Sequence, residues 1–222
     1  MDSKSNTKQK STLINDAVVL FVITLVAAIA LGFVYEITKG PIAKAAAKAK
    51  AEAYAAVYSE AALVDDTNEE LKNKVAEAGE FFSQNGFNQT TLDEVCIAKD
   101  ASGNAIGYVM TITSNAGFGG DIKFSLGVKA DGTLTKIEIL EISETSGLGS
   151  KATDDAFKGQ FSEVNTDAFT LIKNGQAKAD DSEINAISGA TVTSTAVTDT
   201  VNAGLAFANE LLKEGIGGVV SE

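Results

Sequence analysis

The chain has 222 residues and a formal net charge of −12, and it contains no histidine and a single cysteine, Cys96. All 18 basic residues are lysines. These counts exclude a histidine proton shuttle, an internal disulfide, a cysteine-rich zinc site and an iron–sulfur cluster. Residues 51–222 hold 11 lysines against 27 acids, which argues against a nucleic-acid partner. Any redox chemistry must therefore come from an organic cofactor, and we predict no metal site.

A long uncharged segment follows a polar tail at residues 1–15. It runs from Ala17 to Tyr35, and as a helix at about 1.5 Å per residue it would cross a hydrocarbon core of roughly 30 Å. A secretory signal has a shorter apolar core, of about 7–15 residues. We therefore predict an uncleaved transmembrane helix at residues 16–36. The lysine counts on its two sides slightly favour a cytoplasmic C-terminal domain.

The next region, residues 37–90, is predicted to be a helical stalk or connecting segment. Gly40-Pro41 is predicted to interrupt the regular helical structure where the chain leaves the membrane. The sequence from Ala43 to Leu63 is rich in Ala, Lys and Glu, which are strong helix formers. Missing heptad leucines argue against a coiled coil. Three phenylalanines are the candidate core anchors of this region: Phe81, Phe82 and Phe87.

A change of hydrophobic period near Leu92 marks a sheet-forming region. Two hairpins are predicted, pairing 95–99 with 105–113 and 121–129 with 134–142. Such a meander needs a helical layer on one face, for which segments 154–161 and 194–214 are the candidates, and segment 169–172 could add a fifth strand. We predict an α+β fold, in which residues 91–214 form an antiparallel sheet packed with helices. A C-terminal tail is predicted at 215–222.

A loop rich in Ser, Thr and Gly spans residues 185–194 and precedes an amphipathic helix. Apolar residues recur at helical spacing after it, at Val197, Val201, Leu205, Ala208 and Leu212. Thr193 and Ser194 are candidate N-caps, which would place Thr191 in the loop just before the helix. A helix N-terminus favours an anion such as phosphate. From these residues alone, a phosphate-holding loop and a simple helix cap both remain open.

Two glycine loops, residues 115–120 and 144–150, separate the other predicted elements. Their glycines permit either left-handed turns or the close approach of a ligand, and both interpretations remain open. Cys96 lies in an apolar run and is predicted to be a small buried hydrophobe.

Three motifs resemble those of the FMN-binding domain family. Segment 188–193, Ser-Gly-Ala-Thr-Val-Thr, is similar to its S/T-G-A-T-x-T motif. Segment 117–120 is similar to its G-Y/F-G-G loop, and segment 144–149 to its E-T-P-G-L-G motif, with Ser146 where the family often has Pro. With the anchor, these motifs cover about residues 13–213. The chain most resembles the G subunits of Rnf-type electron transport complexes, and next the C subunits of sodium-pumping NADH:quinone reductases.

The resemblance implies FMN esterified through its phosphate to Thr191 by a dedicated flavin transferase. Thr193 is the alternative acceptor by position. The remaining cofactor-binding residues that the resemblance implies are Ser188, Gly189, Ala190, Gly119, Glu144, Thr145, Gly147 and Leu148. The chain departs from the family at Asn185, where an Asp is usual, and at residues 140–143, where a histidine is often found.

The resemblance also implies a function. The chain would be an electron-carrying subunit without catalytic residues of its own. It would belong to a membrane complex that passes electrons between ferredoxin and NAD and drives Na⁺ or H⁺ across the membrane. Its partners would be the other membrane subunits. The flavin domain would lie on the extracytoplasmic side, against the lysine counts. Two alternatives are a free-standing membrane-anchored flavoprotein and a cofactor-free anchored extracytoplasmic binding or scaffold module.

Overall fold

The computed structural model describes residues 5–178 and 182–219, with side chains from residue 13 onward. Residues 1–4 of the predicted polar tail and 220–222 of the predicted C-terminal tail therefore lie outside the described residues. The chain divides into two units, Met1–Lys48 and Ala49–Glu222.

The described residues of the first unit, 5–48, are all helical. Helix α1 extends over Ser5–Val57 and contains an 18-residue window with a mean hydropathy of 3.0. The side chains of residues 13–37 are all exposed, including the large apolar ones. A helix that is apolar all round requires an apolar environment. By length and composition, α1 is the one described helix able to cross a membrane.

Helix α1 continues through Gly40-Pro41, so the predicted interruption there was wrong. A proline inside a helix costs about 3 kcal/mol, because it lacks an N–H and crowds the preceding turn. The alanine-rich sequence on its C-terminal side has high helix propensity. We attribute the continuation of the helix to that propensity.

The centre of the second unit is a six-stranded antiparallel sheet, in which the predicted four-strand meander is confirmed. The spatial order of the strands follows the chain. The strands are β1 Leu63–Asp65, β2 Thr90–Lys99, β3 Ala105–Ser114, β4 Ile122–Lys129, β5 Thr133–Ile142 and β6 Val164–Asn165. The two short edge strands, β1 and β6, were not predicted. The fold is α+β, as expected.

The predicted fifth strand forms, but not in this sheet. Strand β7, Thr170–Ile172, pairs in parallel with β8, Glu183–Asn185. The free edge of β5 is instead covered by β6, through the pairs Thr133–Asn165 and Leu134–Val164. Strand β7 therefore belongs to a separate two-stranded sheet.

Helices cover one face of the sheet. They are α2 Glu69–Gln84, the single turn α3 Asp155–Lys158 between 3-10 turns at Gly149–Thr153 and Gly159–Phe161, and α4 Thr191–Glu214. The core beneath them includes Phe82 of α2, Phe207 of α4 and the sheet residue Leu126. Helix α4 approaches the sheet closely at Gly204, where a Cβ would lie 2.7 Å from Leu126 Cδ2. Of the three predicted aromatic anchors, Phe82 is buried, and Phe81 and Phe87 are partly buried against the same core.

The opposite face of the sheet is covered by the last turns of α1. Tyr54, Val57 and Tyr58 are buried there in a second cluster with Cys96. The Tyr58 hydroxyl donates to the Ile106 carbonyl at 2.7 Å. Much of the region assigned to a stalk, residues 49–90, therefore belongs to the compact unit. The predicted burial of Cys96 is confirmed, and that burial raises the pKa of its thiol to about 12.

The segment predicted as a C-terminal tail also contributes to the core. Ile216 and Val219 are buried, and the Tyr108 hydroxyl donates to the Ile216 carbonyl at 2.6 Å. Gly215 ends α4 with φ 66°, the left-handed conformation in which glycine is favoured. This turn directs the following residues back against the sheet.

Candidate functional site

The N-terminus of α4 differs from the prediction by three residues. The helix begins at Thr191 rather than Ser194, and its N-cap is Ala190, which has no capping side chain. The predicted caps Thr193 and Ser194 lie within the first helical turn. The Ser194 hydroxyl accepts from the Ile187 backbone N–H at 2.9 Å and donates to the Ala190 carbonyl at 2.9 Å. It thus closes the preceding loop instead of capping the helix.

The three motif loops meet at one cavity of about 390 Å³. Phe118 of the first loop, four residues of the second (Glu144, Thr145, Leu148 and Gly149) and residues 189–193 of the third line it. Gly119, Gly147 and Ser188 are not among the lining residues, although each adjoins one in sequence. Seven of the ten predicted site residues therefore line a single cavity whose size suits a small organic ligand.

The two candidate acceptor threonines have different environments. Thr191 is exposed at the start of α4, whereas Thr193 is 1% exposed. A Cβ placed on Gly149 would lie 2.7 Å from Thr193 Oγ1, so the second loop packs tightly over Thr193. Both threonines line the cavity, and Thr191 is the more accessible of the two.

Exposed apolar side chains border the cavity. Phe118 is 74% exposed, Val192 50% and Leu148 43%. Among the described residues of the second unit, the only other large apolar side chain of this kind is Leu63. Apolar side chains concentrated at one cavity are typical of a ligand-binding site.

Glu144 is the one charged residue among the described residues that line the cavity. Its carboxylate accepts from the backbone N–H of Phe118 at 2.7 Å and from that of Gly119 at 3.2 Å. The sequence predicted a cofactor contact here, but no spacing rule relates residue 144 to residues 118 and 119. The structure reveals a bond between two loops.

The second loop is a compact turn that presents Leu148. The Thr145 carbonyl accepts from the N–H groups of Leu148 and Ser150, both at 3.2 Å. The Gly147 N–H donates to Ser150 Oγ at 2.9 Å, and Gly147 has φ 76°. Gly147 therefore serves a turn that other residues rarely adopt.

Asn185, where the family usually has Asp, is not among the described residues that line the cavity. Its Oδ1 accepts from the Ala177 N–H at 2.9 Å, and its own N–H donates to Gln160 Oε1 at 2.8 Å. The amide side chain thus fastens the turn that follows β7.

Comparisons with known proteins identify the family. The model of the FMN-binding domain matches residues 117–206, which include all three loops. The chain is 32% identical over 196 residues to the G subunit of the Na(+)-translocating ferredoxin:NAD(+) oxidoreductase complex of Acetobacterium woodii. That alignment covers 88% of this chain and 91% of that protein. The chain belongs to this family of G subunits.

Another protein of this family, from the proton-translocating ferredoxin:NAD(+) oxidoreductase complex of Clostridium ljungdahlii, is 37% identical over 112 residues, or 50% of this chain and 58% of that protein. Among solved structures, Shewanella oneidensis NqrC is 25% identical, covers 53% of this chain and 59% of its own, and superposes with a TM-score of 0.46. The predicted membership of the FMN-binding domain family is confirmed.

Proposed function

We propose that this chain carries FMN as the electron-transferring subunit of an ion-translocating ferredoxin:NAD(+) oxidoreductase complex, together with other membrane subunits. The names of its relatives support this role. The observation that carries it is the meeting of three loops, all within the FMN-binding match, at one cavity beside an exposed threonine.

The cavity residues fit FMN in two ways. Phe118, Leu148 and Val192 offer apolar surface for the flavin ring. The N-terminus of α4 has no side-chain cap, so its first-turn N–H groups and positive dipole end can receive the phosphate beside Gly189 and Ala190. When bound, FMN supplies the electron transfer, and the chain's own residues bind and orient it.

We further propose that the attachment is covalent, at Thr191 rather than Thr193. The exposure of Thr191 and the burial of Thr193 support this choice. In the step, a bond forms between Thr191 Oγ and the FMN phosphorus. The bond from that phosphorus to the leaving group of an activated flavin donor breaks, and the hydroxyl proton is released. A flavin transferase would bind the donor and accept the proton.

The charge of the site also favours a tether. No lysine is among the described lining residues, and Glu144 brings a negative charge. A phosphate held without a covalent bond would rely on the first-turn N–H groups and the helix dipole, and the dipole is worth only about 0.3–1 kcal/mol at an exposed position. Esterification removes one ionisable oxygen from the phosphate and holds the cofactor without a cation.

Intact-mass measurement tests the proposal. The chain is produced with an active flavin transferase as wild type, Thr191→Ala, Thr191→Ser and Thr193→Ala. We expect added mass equal to FMN minus water in wild type, Thr191→Ser and Thr193→Ala, and none in Thr191→Ala. Loss of the added mass in Thr193→Ala alone would identify the other hydroxyl. Absence of flavin from the wild type would contradict the assignment of a flavoprotein.

Purification and topology test the rest of the proposal. Integral-membrane subunits should co-purify with the wild-type chain, whereas a free-standing flavoprotein would purify alone.

We also propose that the flavin domain lies on the extracytoplasmic side, supported by the family resemblance. Protease added to intact cells should remove a tag placed after residue 222 and spare one placed before residue 1. Protection of the C-terminal tag would contradict this orientation.

A further inference from the structure

The carboxylate of Glu144 lies where the first and second loops meet, and both of its oxygens bind backbone N–H groups of the first loop. Oε1 accepts from Phe118 N at 2.7 Å and Oε2 from Gly119 N at 3.2 Å. Hydrogen bonds to a charged acceptor are among the stronger ones in proteins. We propose that Glu144 is a positioning residue that holds the loop 117–120 in place, instead of contacting the flavin. This inference rests on the proposed function, because it takes the cavity to be the flavin site.

Glycines of both loops leave just enough space for this carboxylate. A Cβ on Gly117 would lie 3.0 Å from Glu144 Oε1, and a Cβ on Gly149 would lie 2.7 Å from Oε2. The second distance is shorter than real Cβ contacts, and the same Cβ would lie 2.8 Å from Glu144 Cβ and 2.7 Å from Thr193 Oγ1, so alanine at 149 would displace Glu144 together with its carboxylate and would also press on Thr193. The absence of side chains at these two glycines therefore leaves the space that the carboxylate occupies.

The hydrogen bonds to Glu144 hold the loop 117–120, and with it Phe118, in a fixed position at the edge of the cavity. Phe118 is 74% exposed, so packing of its ring cannot hold it in place. Its loop contains three glycines, at 117, 119 and 120, and glycine-rich backbone loses much conformational entropy on ordering. The two N–H bonds to Glu144 offset that loss before any ligand arrives. Such preorganisation lowers the ordering cost of binding.

Amide hydrogen exchange in flavin-free protein tests the loop contact directly. The full-length chain is produced without a flavin transferase as wild type, Glu144→Gln, Gly149→Ala and Glu141→Gln. Glu141 is an exposed glutamate on the neighbouring strand end and serves as the matched control. We expect the Phe118 and Gly119 amides to exchange about tenfold faster or more in Glu144→Gln and Gly149→Ala. The Tyr108 amide of β3 should be unchanged in all four proteins.

Unchanged exchange of both loop amides in Glu144→Gln would overturn the proposal. If that variant unfolds, which general acceleration including Tyr108 would reveal, Gly149→Ala decides instead, because it keeps the charge and moves the carboxylate. In that case unchanged loop exchange in Gly149→Ala overturns the proposal, and selective acceleration supports it.

The midpoint potential of the flavin-loaded protein separates positioning from direct contact. A positioning role predicts a shift in both Glu144→Gln and Glu144→Asp, because the shorter aspartate keeps the negative charge but withdraws the carboxylate from the loop amides. A shift in Glu144→Gln alone would point to a direct charge effect on the flavin and overturn the proposal. Failure of the proposed function appears differently, as a wild type that takes up no flavin while its loop exchange still depends on Glu144.

Discussion

The buried Ser194 hydroxyl accepts the backbone N–H of Ile187 at 2.9 Å, across the loop that presents Thr191. The same hydroxyl donates to the Ala190 carbonyl at 2.9 Å, and the Ala190 N–H donates to the Ile187 carbonyl at 3.0 Å. One side chain therefore fixes both ends of the segment that carries the motif.

Replacing Ser194 by Ala should weaken both stability and flavin attachment. The buried Ile187 N–H would lose its acceptor, which costs about 1–3 kcal/mol. Because the loop would then be less fixed, we also expect transferase-dependent addition of FMN to slow severalfold at a temperature where the variant remains folded. Thermal unfolding in detergent and the time course of intact mass measure the two effects.

Thr198→Ala is the matched control for Ser194→Ala. Thr198 is also buried on α4, but its hydroxyl donates to the Ser194 carbonyl at 2.9 Å and does not touch the loop. The Thr198→Ala variant should be somewhat less stable than wild type, but FMN should attach to it at the wild-type rate. Equal slowing in both variants would mean that helix stability, not loop closure, limits attachment.

Gly189→Ala should destabilise the attachment loop. Gly189 has φ 78°, and the left-handed conformation costs other residues about 1–2 kcal/mol. The new Cβ would also lie 3.3 Å from Leu148 Cδ2. We expect a lower melting temperature and less FMN attached per chain. Gly159→Ala is the control, because Gly159 has φ −65° and open space around it, and alanine there should be neutral or slightly stabilising.

Gly127→Ala should be strongly destabilising if the last turns of α1 pack on the sheet as described. The added Cβ would lie 2.4 Å from Thr135 Oγ1 and 2.7 Å from the Val57 carbonyl. Overpacking of this kind costs about 1–3 kcal/mol. In the exposed interior of α2, Gly79→Ala should instead stabilise by about 1 kcal/mol. Denaturant unfolding of the two variants should give changes of opposite sign, and a neutral Gly127→Ala would refute the packing.

Acid should weaken the second unit partly through Asp65. Lys99 Nζ donates to Asp65 Oδ2 at 2.5 Å, and this bond, with further ones from Thr67, holds the pKa of Asp65 well below its usual range. A lowered folded-state pKa contributes stability that is fully present above the ordinary value of about 3.9 and is lost as the pH falls through the folded value.

Asp65→Asn should therefore lower the melting temperature at pH 7 and flatten its fall below pH 4. Asp66→Asn, at the exposed neighbouring position, should keep the wild-type slope. Melting temperature between pH 2 and pH 7 measures the effect. Parallel curves for wild type and Asp65→Asn would show that this ion pair does not contribute to the pH dependence.

Much of the fold could be predicted because it is encoded over short distances along the chain. Alternating apolar residues and turn sequences predicted strands β2 to β5, and helical spacing from Val197 onward predicted α4. The long uncharged segment predicted the apolar helix. The apolar run around Cys96 predicted its burial. In each case neighbouring residues determine the local conformation.

Errors arose where a distant partner decides the conformation. Thr193 and Ser194 have the chemistry of N-caps, but the Ile187 N–H takes the Ser194 hydroxyl and the helix begins three residues earlier. Strand β7 was predicted as a fifth strand of the meander, but it pairs in parallel with β8, a strand that the sequence pattern did not predict.

By itself, the sequence determined the order of strands β2 to β5 and helix α4, the apolar helix, the exclusion of histidine and iron–sulfur chemistry, and the three loops that identify the family. Only the tertiary structure decided that these loops share one cavity, that Thr191 is exposed while Thr193 is buried, and that Glu144 binds the loop at Phe118. Short-range periodicity cannot encode a contact between residues 26 positions apart. Such contacts form only when the closing sheet and α4 bring the loops together.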